Sequence, residues 1–160
     1  MPEPSRPVHI LAFPNVQLLD VTGPLQVFAS ANVQLQENGQ AAHYCPRVVA
    51  AQDGSVVSSS GLGLLTDPLP ETASDTLIVA GGKGVHTALK DQRLLQWVRD
   101  QAAGARRVAS VCTGTFMLAE AGVIDGQRVV THWDSCARLA ERYPQLQVDP
   151  EPIFINQGKL

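Results

Sequence analysis

Short apolar runs alternate along this chain with longer stretches in which apolar residues recur every three or four positions, and polar or glycine-containing segments separate them. Runs of the first kind predict buried strands and stretches of the second kind predict helices. Residues 8–13, Val-His-Ile-Leu-Ala-Phe, are the first such run and end at Pro14. A helix follows, with Thr22 or Gly23 as its cap and Pro24 near its first turn, where a missing N–H costs nothing. Its face carries Leu25, Phe28, Ala29, Asn32 and Val33, and Asn38-Gly39 closes it. Residues 43–51 read as a second strand, 52–55 as a turn, 56–59 and 62–65 as short strands around Gly61, and 66–70 as a loop. Residues 76–80 read as another buried strand that ends in Gly81-Gly82-Lys83-Gly84, and Leu89, Leu94, Leu95 and Val98 mark a helix to about Gly104.

Residues 105–122 organise the remainder. Val108, Ala109 and Val111 form the apolar run of a central parallel strand, whereas Phe116, Met117, Leu118 and Ala121 recur at helical spacing up to a stop at Gly122. Cys112 sits on the turn between them. Residues 127–131 predict a further strand, 134–142 a helix capped by Asp134, and 152–156 with 159–160 a hairpin turning at Gln157-Gly158. Strands alternating with helices predict an α/β fold, a three-layer sandwich whose mostly parallel sheet carries helices on both faces. Residues 1–160 form one domain, without repeat, low-complexity tract or linker.

A strand-to-helix junction this abrupt needs small residues beside the turning one, and Ser110, Thr113 and Gly114 supply them. A thiol held there faces unpaired first-turn N–H groups and a helix dipole, which favour its thiolate. Cys112 is therefore a candidate reactive cysteine; the alternative is a small apolar residue in a tight turn. Ligands of open α/β sheets sit outside the carboxyl ends of the strands, so the loop with Asp20, the glycine loop and the elbow with Cys112 and Thr113 should converge. Asp20 lies among Val16, Leu18, Leu19 and Val21, where a carboxylate is costly and its pKa tends upward. It has a chemical task there, or it bonds the free N–H groups of the next helix. Gly81 and Gly82 would let backbone N–H groups approach a ligand oxygen and, with the Thr113 N–H, form an oxyanion-type cradle. His132 lines the same pocket, or packs with Trp133 under the following helix. His9 and His86 read as structural or exposed, and Cys45 and Cys136 as core or helix-face residues.

Composition narrows the function classes. The charged fraction is 17%, the hydrophobic fraction 44% and the net charge −3, with lysines and arginines scattered apart from Arg106-Arg107, so this chain has no basic stripe for a phosphate backbone. No apolar run of about 18 residues and no signal-peptide core is present, which predicts a cytoplasmic protein with no membrane partner. Three cysteines without short spacing suggest neither a disulfide framework nor a zinc site, and no metal or cofactor is expected. Gly-Gly-Lys-Gly lacks the phosphate-loop spacing, and Gly61-x-Gly63 lacks a third glycine, so both nucleotide readings are rejected.

Ser-Val-Cys-Thr-Gly-Thr-Phe, followed by Ala-Gly-Val-Ile-Asp-Gly and by Val-Val-Thr-His-Trp, resembles the DJ-1/PfpI superfamily of class I glutamine-amidotransferase-like domains, most nearly the sensor domain of AraC-type transcriptional regulators. The resemblance implies a flavodoxin-like fold, an acidic residue (Asp20) beside the elbow cysteine, a homodimer, and a pocket for a small polar metabolite such as an amino acid, betaine or amine. DNA would be bound only through a domain outside this chain. Relatives of this kind continue past the final hairpin into a closing helix, which implies that the sheet edge here is incompletely covered. Leu-Asp-Val-Thr-Gly-Pro is also similar to isonitrile hydratases, which implies Cys112 as nucleophile, Asp20 as acid and base, and Thr113 beside them. A third expectation is a redox sensor that oxidises Cys112 to a sulfinate. The protease-like branch carries a histidine after the elbow cysteine; Thr113 stands there instead, so peptidase chemistry is not expected.

Overall fold

The structure, a computed structural model, describes residues 5–52 and 54–160. Its strands are β1 (Arg6–Leu11), β2 (Tyr44–Ala50), β3 (Gly54–Val57), β4 (Gly63–Pro68), β5 (Thr76–Val79), β6 (Arg107–Ser110), β7 (Arg128–Val129) and β8 (Gln147–Val148). Its α-helices are α1 (Leu18–Glu37), α2 (Val85–Ala88), α3 (Gln92–Gly104), α4 (Thr115–Glu120) and α5 (Cys136–Arg142). One sheet runs in the order β3-β4-β2-β1-β5-β6, and β7 pairs with β8 in a separate ribbon. All pairings of the large sheet are parallel except β3 with β4. The α/β layering therefore stands as the sequence predicts.

The centre of the sheet explains its apolar runs. Val8, Ile10 and Leu11 of β1 and Leu77 and Val79 of β5 have no solvent contact, because helices cover both faces of these strands. β1 leads through α1 to β2 on one side, and β5 leads through α2 and α3 to β6 on the other. Right-handed crossovers in opposite directions put α1 and α3 on opposite faces.

Several boundaries differ from expectation. Helix α1 begins at Leu18, so neither Thr22 nor Gly23 caps it and Pro24 lies inside it. The start is set by one tertiary and one local bond: the Gln17 N–H donates to Gly81 O at 2.8 Å, and the Asp20 N–H closes the first turn on Gln17 O at 3.1 Å. Pro24 costs the Asp20 carbonyl its helical donor. The predicted loop at 66–70 is partly strand, since Asp67 and Pro68 pair with Val49 and Ala50. Of the predicted turn at 52–55, Asp53 lies outside the described residues, as do residues 1–4, and Gly54 and Ser55 already belong to β3. The helix expected up to Gly104 is two helices, separated where Asp91 Oδ1 accepts the N–H groups of Arg93 and Leu94 at 3.0 and 3.1 Å.

The strand predicted at 127–131 narrows to β7, paired with β8 rather than with the main sheet. Asp134 does not cap α5, whose preceding residue is Ser135; its carboxylate turns to His132 and Ser135 instead. The terminal hairpin is absent: residues 152–160 contain no strand. Gln157 and Leu160 exchange backbone hydrogen bonds at 2.9 and 3.0 Å, and Lys159 O accepts the Val108 N–H of edge strand β6 at 2.7 Å. This segment thus covers one donor of that edge. No described helix is long and apolar enough to cross a membrane.

Candidate functional site

The strand order reverses between β1 and β5, and parallel sheets bind ligands outside the carboxyl ends of the strands at such a point. The segments leaving β1, β5 and β6 bring Asp20, Gly81, Gly82, Cys112 and Thr113 together there. Asp20 stands in the first turn of α1, only 8% exposed, and its Oδ2 accepts the Gly81 N–H at 3.0 Å. It therefore bonds the loop after β5, not the free N–H groups of a following helix. Burial pushes its carboxyl above the ordinary range, opposed by the Gly81 N–H and by the charge of His132.

The glycines serve the chain itself rather than an open cradle. The Gly82 N–H donates to Thr113 Oγ1 at 2.8 Å, and the Thr113 hydroxyl returns a bond to Gly82 O at 3.3 Å. With Gly81 N–H on Asp20, both glycine donors of the expected oxyanion cradle are already engaged. The close approach is between backbones. A Cβ on Gly81 would lie 2.6 Å from Thr113 N, and one on Gly82, whose φ is +121°, would lie 2.3 Å from Gln17 N.

Cys112 opens a single 3₁₀ turn, Cys112–Gly114, before α4. Its φ is +54°, a left-handed conformation that presents the thiol at the end of β6. Burial pushes the thiol up, and the carboxylates of Asp20 and then Asp134 push the same way; the Thr113 N–H and hydroxyl oppose them. The expected thiolate is thus not favoured. The following helix has only six residues, and burial, with the two carboxylates adding to it, keeps the proton on the thiol.

His132 does reach this region. Its Nδ1 lies 2.6 Å from Asp134 Oδ1, which also accepts the Ser135 hydroxyl at 2.8 Å. Neither His132 nor Trp133 is packed under a helix: Trp133 is 79% exposed. An open cavity of about 640 Å³ is walled by Cys112, Thr131, His132 and Trp133 and, from the C-terminal segment, by Phe154 and Ile155. Asp20 does not line it; Cys112 belongs to both groups. The residues that sequence reasoning overlooked are Thr115, Thr131 and Asp134. Thr131 donates to Cys112 O at 2.9 Å, and its only signal was its place in Thr-His-Trp.

The other cysteines and histidines lie elsewhere. Cys136 is buried and Cys45 half-buried, both as free thiols. His9 Nδ1 is 2.6 Å from Ser74 Oγ, and the ring of His86 meets Phe116 edge-on at 5.2 Å. Among the described residues no group of three or more His, Cys, Asp or Glu is placed to hold a metal ion.

A cysteine in a left-handed elbow after a parallel strand, beside an acidic residue from the first loop, is the arrangement the sequence motif implies. The profile of the DJ-1/PfpI family matches residues 6–150. The chain belongs to that family. Among DJ-1/PfpI relatives, it is 41% identical to an uncharacterized protein in the cpoL 5′ region of Streptomyces lividans, over 86% of this chain and 94% of that protein. It is 40% identical to an isonitrile hydratase of Pseudomonas putida over 79% of this chain and 52% of the enzyme. It is 34% identical to the HTH-type transcriptional regulator CdhR of Pseudomonas aeruginosa over 71% of this chain and 34% of the regulator. The chain thus spans about half of that hydratase and a third of that regulator. Among solved structures, a ThiJ/PfpI family protein from Pseudomonas syringae superposes with a TM-score of 0.80 over 98% of this chain and 61% of its own, at 24% identity. An AraC family transcriptional regulator from Pseudomonas putida does so with a TM-score of 0.74 over 97% of this chain and 81% of its own, at 26% identity.

Proposed function

We propose that this DJ-1/PfpI domain is the ligand-sensing part of an AraC-type transcriptional regulator. It binds a small polar metabolite around Cys112, Thr113 and His132, with Asp20 and the Gly81-Gly82 loop holding the elbow from behind. The observation that carries this reading is the resting state of the site. Burial first, with the carboxylates of Asp20 and then Asp134 adding to it, holds Cys112 toward its neutral thiol on the wall of a cavity of about 640 Å³, as suits a recognition pocket more than a standing nucleophile. The domain works in the cytoplasm as a homodimer and acts on DNA through a separate module; the similarity to regulators supports this. A thermal-shift panel of small amines, amino acids and betaines tests it. At 100 Kd a true ligand stabilises by about 2.7 kcal/mol. A panel in which nothing shifts the protein, or in which Cys112→Ala and His132→Ala leave the shift intact, sinks the pocket.

A second reading is favoured by the charge of Asp20 acting on Cys112 and by the identity to an isonitrile hydratase. In it, Cys112 Sγ bonds to the isonitrile carbon while the thiol proton passes through Asp20 to that carbon, giving a thioimidate. Water then adds, the C–S bond breaks, and an N-substituted formamide and the free thiol result. Formamide production from a simple isonitrile, abolished in Cys112→Ala, supports this reading; no turnover across several isonitriles removes it.

A further inference from the structure

Cys112 carries a side chain in a left-handed conformation, which costs on the order of 1–2 kcal/mol and persists only where the surroundings over-determine it. Its own chain holds the turn by the Gly114 N–H on Val111 O at 2.9 Å. The Cys112 carbonyl is turned by the positive φ toward two threonine hydroxyls. Thr131 Oγ1 lies 2.9 Å from it and Thr115 Oγ1 3.4 Å. A hydroxyl has one proton to donate. That of Thr115 has nearer partners in Ser110 Oγ at 2.9 Å and Val130 O at 3.0 Å. The short bond to the Cys112 carbonyl is therefore that of Thr131, a residue buried to 8% exposure.

We propose that Thr131 is a positioning residue for Cys112: its hydroxyl clamps the carbonyl of the left-handed elbow and keeps the thiol on the wall of the cavity it shares with His132. Thr131 leads directly into His132 and Trp133, so one bond sets both the thiol and the facing wall. The inference goes beyond the ligand-sensing reading and holds for either use of the thiol.

Iodoacetamide alkylation followed by peptide mass spectrometry reads Cys112 separately from Cys45 and Cys136, and is run from pH 7 to 11, since the thiol titrates above its ordinary value. Thr131→Val keeps the shape and removes the donor; alkylation of Cys112 at pH 8 then falls about fivefold, the equivalent of one net hydrogen bond. Thr131→Ser restores the rate and the pH midpoint. A Thr131→Val protein with the wild-type rate and midpoint overturns the proposal. A second measurement covers loss of stability. Glycine adopts φ +54° without strain and keeps the carbonyl, so in a Cys112→Gly background Thr131→Val still lowers the folding constant severalfold, at least as much as in the wild type. A Cys112→Gly protein whose folding constant Thr131→Val leaves unchanged also overturns it. Neither readout needs a ligand or turnover, so a negative ligand screen leaves it standing.

Discussion

The Asp20 carboxylate helps to hold the proton on Cys112. Burial is the first cause of the raised thiol, and the Asp20 carboxylate is the second. Asp20→Asn keeps a carbonyl oxygen for the Gly81 N–H and removes the charge. Alkylation of Cys112 at pH 8 is therefore expected to rise severalfold, with its midpoint moved down; an unchanged or higher midpoint contradicts the coupling. The same substitution bears on stability. A carboxyl raised in the folded state contributes fully below its ordinary value of 3.8 and loses that contribution as pH climbs through its folded value. Asp20→Asn should accordingly raise the urea midpoint at pH 7, the opposite of most substitutions at buried polar sites.

At the scale of elements, the site is a set of backbones pressed together. The loop after β5 meets the segment entering α1 so closely that a Cβ on Gly84 would lie 1.8 Å from Pro14 O, and one on Gly114 would lie 2.2 Å from Val79 O. Backbone cannot swing aside as a side chain can. Gly84→Ala and Gly114→Ala are each expected to cost about 3 kcal/mol or more in urea denaturation, near the upper end for overpacking. Helix α4 anchors the other end of the elbow through Phe116, which is fully buried, is met edge-on by His86 and is capped by Arg138 at 5.9 Å. Phe116→Ala should cost about 3–5 kcal/mol, enough to unfold a marginal domain; a loss below 1 kcal/mol would mean that α4 does not hold the elbow.

For the whole molecule, two histidines set the acid limb of stability. Burial depresses His9, with Arg47 adding to it, and burial depresses His86, with Arg138 and Arg142 adding to it. Groups depressed in the folded state are stabilising above their ordinary value of 6.5, and that stability is lost as pH falls through the depressed values. The melting temperature should fall between pH 7.5 and 5.5, and the fall should be shallower in His9→Asn; equal slopes contradict the assignment. The lone basic pair does not alter the electrostatic picture. Arg106 Nε and its terminal amine bind Asp75 at 2.8 and 2.7 Å, which removes half of the one basic pair from any anionic surface.

Periodicity and turn chemistry by themselves determined the α/β class, the buried parallel strands and the turn at Cys112. These follow from local rules: a doubly covered strand must be apolar along its length, and an abrupt elbow must have small neighbours. They also placed Asp20, Cys112, Thr113 and the glycine loop at one end of the sheet, because chain direction fixes which ends of parallel strands coincide. Tertiary structure alone decided the rest. The start of α1 at Leu18 depends on a bond from Gln17 to Gly81, sixty-four residues away in sequence. The glycine amides were spent on Asp20 and Thr113 instead of a ligand, and Asp134 left its helix for His132. The thiol's direction of shift was likewise beyond local reading, since it balances the Thr113 donors against burial and two carboxylates from distant segments. Patterns along a chain report what each residue needs to bury; which partner meets that need is set only when distant segments are brought into contact.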